Sequence, residues 1–248
     1  MQESEKCYNA QPLPPENRGA GFWCIAALSV LCLIFGWRLF WFLTDDAYIA
    51  FRYISNSMRG FGYVWNPPPF LPVEGYTSFL WVVLLDVIWR ISGFDPPVSA
   101  NYISLLFSVL NLMLSFEMLF RSERHHWRKG QFLVFQLLFA AYLLTNRSYL
   151  TWSSSGLETA MFCFLIINWV FVILLVRNRL RLFSASLLSV LLALTRPDGL
   201  LFCASTFLLL FIELWFPPKE TTRKQVMIAG SPFLLVIGHL LWRHSLYG

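Results

Sequence analysis

The run Gly21–Leu43 is twenty-three residues long and carries a single charge, Arg38. As a helix it measures about 34 Å, enough to cross the hydrocarbon core of a bilayer. Further apolar segments follow at Thr77–Ser92, Ala100–Phe120, Gln131–Thr145, Thr159–Val176, Leu182–Leu194, Leu200–Phe216 and Val226–Trp242. None alternates apolar and polar residues as a membrane barrel strand would. Only a helix satisfies its own backbone in lipid. The expected fold is all-α, a polytopic transmembrane helical bundle of about seven to eight apolar helices.

Composition agrees. The chain is 57% hydrophobic and 13% charged, against about 25% charged in a soluble domain. The net charge of +5 lies in short clusters, which suits loops at an anionic leaflet and excludes a nucleic-acid footprint. Of the five cysteines, Cys24, Cys32, Cys163 and Cys203 lie in apolar runs and Cys7 in the polar start. They show no metal-ligand spacing and read as small core residues. Residues 1–20 read as a cytoplasmic tail, and Gly21–Leu43 as an uncleaved anchor.

Lysine and arginine set the expected orientation. The tail, Arg121–Gly130, Arg177–Arg181 and Pro217–Lys224 together hold twelve of them. Arg52, Arg59, Arg147, Arg196 and Arg243 fall in the opposite loops. Eight strict crossings would put the loop after Leu43 on the basic side. The orientation is consistent if Thr77–Ser92 does not fully cross, which places three motif-bearing loops on one extracytoplasmic face; the alternative is that the basic Arg121 loop lies outside, against the rule.

The first of these, residues 44–76, opens with "TDDAYIAFRYISNSMRG". Thr44 suits a helix N-cap, and Asp45 and Asp46 fall in the first turn, where carboxylates favour the positive end of the helix dipole. The helix should reach Arg59 and stop at Gly60. Asp45, Arg52 and Arg59 share a face. Tyr48, Ile49, Tyr53 and Ile54 offer an amphipathic surface to the membrane interface. "WNPPPFLP" is irregular, and "VEGYTS" carries Glu74 and Tyr76. An aspartate at a span end can be only a cap, but Asp45 and Asp46 share the face with Glu74, Glu158 and Asp198, and ionisable groups near membrane depth are costly and tend to be functional.

The second loop, "NRSYLTWSSSGLETAMF" (Asn146–Phe162), places Glu158 at the mouth of a span. Ser155 and Glu158 have the spacing of a capping box, and "NRS" matches a glycosylation acceptor. The third, "LTRPDGL" (Leu194–Leu200), holds Arg196 in a tight turn. Its guanidinium either binds phosphate, for which its donor fork is suited, or snorkels and pairs with Asp198. Asp86 and Glu117, inside apolar runs, are expected to pair with Arg90 or polar neighbours. His125–His126 reads as a solvated surface.

Taken in order, "TDDAYIAFRYISNSMRGFGYVWNP", "VEGYTSFLW", "SSGLETAMF" and "LTRPDGL" resemble bacterial membrane glycosyltransferases of the GT-C superfamily, nearest to those of the arabinofuranosyltransferase type. The resemblance covers Leu43 to about Leu200. It implies a multi-pass protein of the bacterial inner membrane. Such an enzyme takes a sugar from a polyprenyl-phosphate donor to a glycan, lipid or protein acceptor of the cell envelope. It implies an aspartate base at the start of the first external loop, by position Asp45 or Asp46. Arg52, Tyr53, Glu74, Tyr76, Glu158, Arg196 and Asp198 are then the expected substrate-binding residues. In some relatives a divalent metal assists; nothing in this sequence demands one. Family members are usually longer, so residues 21–248 look like their N-terminal part, and a non-catalytic protein that keeps the fold is the alternative. The working expectation is that the acids near 45 and 74 and the guanidinium of Arg196 converge around one outward-opening cavity at headgroup depth.

Overall fold

The computed structural model describes residues 18–123, 129–178, 180–216 and 222–248. Lys6, Cys7, the His125–His126 pair, Arg124, Arg128, Arg179 and Lys219 lie outside the described residues. Among those described there are helices and no strands. The elements are α1 (Ala20–Leu39), α2 (Asp45–Met58), α3 (Phe79–Ser92), α4 (Pro96–Glu123), α5 (Lys129–Thr145), α6 (Arg147–Trp152), α7 (Thr159–Leu175), α8 (Arg181–Thr195), a 3-10 turn (Pro197–Gly199), α9 (Leu200–Trp215), α10 (Arg223–Ala229) and α11 (Phe233–Tyr247). Four helical stretches are long and apolar enough to cross a membrane: Ala20–Leu39, Pro96–Arg121, Pro197–Trp215 and Arg223–Tyr247. Gly130–Thr145, Thr159–Leu175 and Arg181–Thr195 are shorter apolar helices.

Helix α1 shows why such segments belong in lipid. Phe22, Ala26, Ser29, Leu33 and Trp37 form one buried stripe at helical spacing. Leu28, Leu31 and Phe35 on the other side are equally apolar yet exposed. A helix that is apolar all round needs an apolar surrounding. The buried stripe packs on α4 and α5, where Phe22 meets Phe116 and Phe132. On α4, Asn101, Ser104, Ser108, Asn111 and Ser115 are all buried. Their spacing puts these small side chains on one face, allowing the close approach of neighbouring helices.

The bundle has two chemically distinct ends. At one end Arg18 and Arg121 pair with Glu117 at 2.7 and 2.6 Å, the Arg121 guanidinium lies over Phe171, and Arg181 pairs with Glu213. The other end carries the loops singled out above. Helix α3 stays at this second end. Its Trp81 Nε1 donates to Gly156 O, while Asp86 and Arg90 bond Ser57 and Tyr63. Left-handed Gly93 ends it, and α4 begins three residues later with Pro96 in its first turn. Asn101 Nδ2 of α4 then donates to Phe42 O at 2.9 Å.

Candidate functional site

Helix α2 begins where the sequence places it. Thr44 Oγ1 accepts from Asp46 N at 3.2 Å, Arg59 is the C-cap, and Gly60 follows with φ +86°. Asp45, Arg52 and Arg59 are exposed on one face. The apolar face does not meet a membrane interface as expected. Tyr53 and Ile54 are fully buried in a core shared with Trp81, Val82, Leu85, Met161 and Leu192. Protein neighbours have taken the place of lipid, and of that surface only Tyr48 remains exposed.

The turn before α7 fixes the acid pair. Phe42 N donates to Ser154 O at 3.4 Å and Thr44 N to Ser155 O at 3.1 Å. Ser154 Oγ donates to Phe40 O at 2.6 Å. Gly156 adopts φ +80°, and a Cβ there would stand 2.6 Å from Leu43 Cδ2. Only glycine permits both the backbone conformation and the contact. Asp45 and Asp46, exposed at the start of α2, are therefore held against the entry of α7.

Glu158 sits at that entry, almost fully buried. The capping box does not form: the Ser155 hydroxyl accepts from Leu157 N instead, and the Glu158 carboxylate turns to Arg196. Arg196 Nη1 donates to Glu158 Oε1 at 3.1 Å, its Nε lies 3.5 Å from Asp198 Oδ2, and its guanidinium stands 5.7 Å from the Phe162 ring centre. Burial raises the Glu158 carboxyl above its usual range, and the Asp46 charge raises it further; Arg196 opposes both. Asp46, Glu158, Arg196 and Asp198 thus form one electrostatic cluster. The 3-10 turn that holds Arg196 depends on Gly199, where a Cβ would lie 2.1 Å from the Leu192 carbonyl carbon.

Glu74 and Tyr76 belong to a second cluster. Glu74 Oε2 accepts from Arg243 Nη2 at 2.6 Å. Tyr76 is buried against Tyr53, ring centres 4.7 Å apart, and its hydroxyl is 3.4 Å from that of Tyr247. Tyr247 donates to Tyr63 O at 2.6 Å, and Tyr53 to Val73 O at 2.6 Å. Burial raises the phenols of Tyr53, Tyr63 and Tyr76, so all three stay protonated. Both clusters are carried by α2, on which Asp46 and Tyr53 are seven residues, about 10 Å, apart along the axis.

Arg52 is occupied by its own loop. Its Nε donates to Trp65 O at 2.8 Å, its Nη2 to Asn66 Oδ1 at 2.7 Å, and the guanidinium stacks 4.2 Å from the Trp65 ring centre. Asp86 pairs with Arg90 at 3.1 Å and accepts from the Tyr63 hydroxyl at 2.7 Å; Glu117 pairs with Arg18 and Arg121. Both agree with expectation. Asn146 of the "NRS" triplet caps α6 by accepting from Tyr149 N. Sequence reasoning missed Tyr63, Arg243 and Tyr247. Arg243 could have been noticed as an arginine on the same side as Glu74; the tyrosines left no signal. Among the described residues no group of three or more His, Cys, Asp or Glu side chains could hold a metal ion. Comparison of the chain with family models, curated proteins and solved structures finds no match in any of the three.

Proposed function

We propose that the chain is the catalytic membrane module of a GT-C-type glycosyltransferase, with the end that carries Asp45 facing the extracytoplasmic side of a bacterial inner membrane. In this reading α1, α4, α5, α7, α8, α9 and the pair α10–α11 cross the bilayer, and α2 and α3 stay at its outer face. The Arg18, Arg121 and Arg181 end is then cytoplasmic, as the distribution of basic residues asks.

One observation carries the reading: the backbone bonds between residues 42–44 and 154–155 bring an exposed acid pair beside Glu158 and Arg196. The donor is a sugar on a polyprenyl phosphate and the acceptor a hydroxyl of a glycan, lipid or protein. The acceptor oxygen attacks the anomeric carbon. Asp45 or Asp46 takes its proton as that bond forms. The bond from the anomeric carbon to the phosphate oxygen breaks, and polyprenyl phosphate departs with the electron pair. Charge grows on the phosphate, and Arg196, more than a third exposed in its side chain, is placed to stabilise it. Attack opposite the leaving group inverts the anomeric centre.

A non-catalytic protein that binds lipid phosphate is favoured by a different observation: Arg196 already has two carboxylate partners and Glu74 has Arg243. Sugar transfer by membranes bearing the complete enzyme separates the two. Asp45→Asn or Asp46→Asn should abolish transfer while expression persists. Full activity in both variants would end the catalytic assignment.

A further inference from the structure

Helix α3 has an apolar stripe left exposed by the described residues. Its buried side presents Trp81, Val82, Leu85 and Asp86 to the core. On the opposite side Val87 and Ile91, then Phe94 just beyond the helix, follow at helical spacing and are exposed; Ile91 is 81% and Phe94 62% accessible. Phe61 at the end of α2 is exposed as well, and the bonds of Asp86 and Arg90 to Tyr63 and Ser57 bring the two helix ends together. Two cations belong to the same pair of helix ends, where Arg90 donates to Ser57 and Arg59 follows two residues on. Arg59 is exposed at the C-cap of α2, and Arg90 keeps 48% of its side chain accessible while bound to Asp86.

We infer that this patch is a contact for anionic phospholipid in the leaflet at that end of the bundle. Both flanks of α3 are tied to one end of the bundle, so its exposed apolar stripe cannot be that of a spanning helix. Apolar side chains beside exposed arginines match a headgroup–acyl boundary, where chains cover the apolar groups and phosphates meet the guanidinium groups. The contact passes from α2, whose apolar face is used up in the core, to α3. It holds whether or not the chain transfers sugar.

The test uses the whole chain in nanodiscs of phosphatidylcholine with a minor share of phosphatidylglycerol. Ile91 is replaced by the photo-crosslinker benzoylphenylalanine, with Leu31 of α1 as a lipid-facing control. Illumination should give lipid adducts at both sites, with phosphatidylglycerol enriched at Ile91 about twofold above its share. Arg59→Gln should lower that enrichment and leave the adduct. A lipid adduct at Leu31 but none at Ile91, or a crosslink from Ile91 to protein, would overturn the contact. Enrichment unchanged in Arg59→Gln would overturn its dependence on charge.

Discussion

Arg196 donates to Glu158 at 3.1 Å, joining the exit of α8 to the entry of α7. The carboxylate is almost wholly buried and the guanidinium is not. Burial and Asp46 disfavour the ionised state of Glu158, and a backbone N–H bond together with Arg196 favours it.

The folded chain holds the Glu158 proton more tightly than the unfolded chain, because its carboxyl is raised. The stability this gives is fully present below the ordinary carboxylate pKa and is lost as pH rises through the raised folded value. The thermal midpoint in detergent micelles should fall across that window. Glu158→Gln, which keeps an acceptor for Arg196, should flatten the slope. A slope that survives in the variant would assign it to another group.

Asp46 and Asp45 should separate by the same measurement. Asp46→Asn removes a like charge that acts on Glu158, so the window should move to lower pH. Asp45→Asn should leave it in place. The reverse result would identify Asp45 as the carboxylate facing the cluster.

Gly199→Ala should be among the costliest single methyl additions in the chain, because the new atom would lie 2.1 and 2.2 Å from the Leu192 carbonyl carbon and oxygen. Overpacking of this kind costs about 3 kcal/mol. Gly62→Ala is the control: φ is +79° with open space around it, and backbone strain alone costs about 1 kcal/mol. Unfolding titrations in mixed micelles should rank the two in that order.

Asp86→Ala removes the acceptor for Tyr63, Ser57 and Arg90 together. Bonds to a charged acceptor contribute about 2 kcal/mol each, but Arg90 is half exposed and regains water, so a loss of about 3 kcal/mol is expected. Tyr63→Phe should cost less, about 1.5 kcal/mol. Equal losses in the same unfolding assay would place the cost with Tyr63 alone.

What the sequence disclosed was local. The Thr44 cap, the stop at Gly60 and the turn at Pro197–Gly199 depend on residues within a few positions of one another, as does the Asp86–Arg90 pair. Facing partners were hidden, because helical spacing says which residues share a face and not what lies opposite. Tyr53 and Ile54 have the pattern of an interfacial stripe whether lipid or α3 covers them. Arg52 has the look of a free cation until Trp65 and Asn66 fold back on it. Glu74 meets Arg243 across 169 residues, a separation at which no pattern operates. The Ser155–Glu158 capping box does not form because α7 starts at Thr159, with Glu158 itself at the N-cap.

Two main-chain bonds fasten residues 42–44 to residues 154–155. Because amides make these bonds, exchanging the serine side chains of that turn leaves both intact, and the acid pair is coupled mechanically to the start of α7. A shift of the Phe42–Thr44 backbone would therefore pull on residues 154–155, just before Glu158.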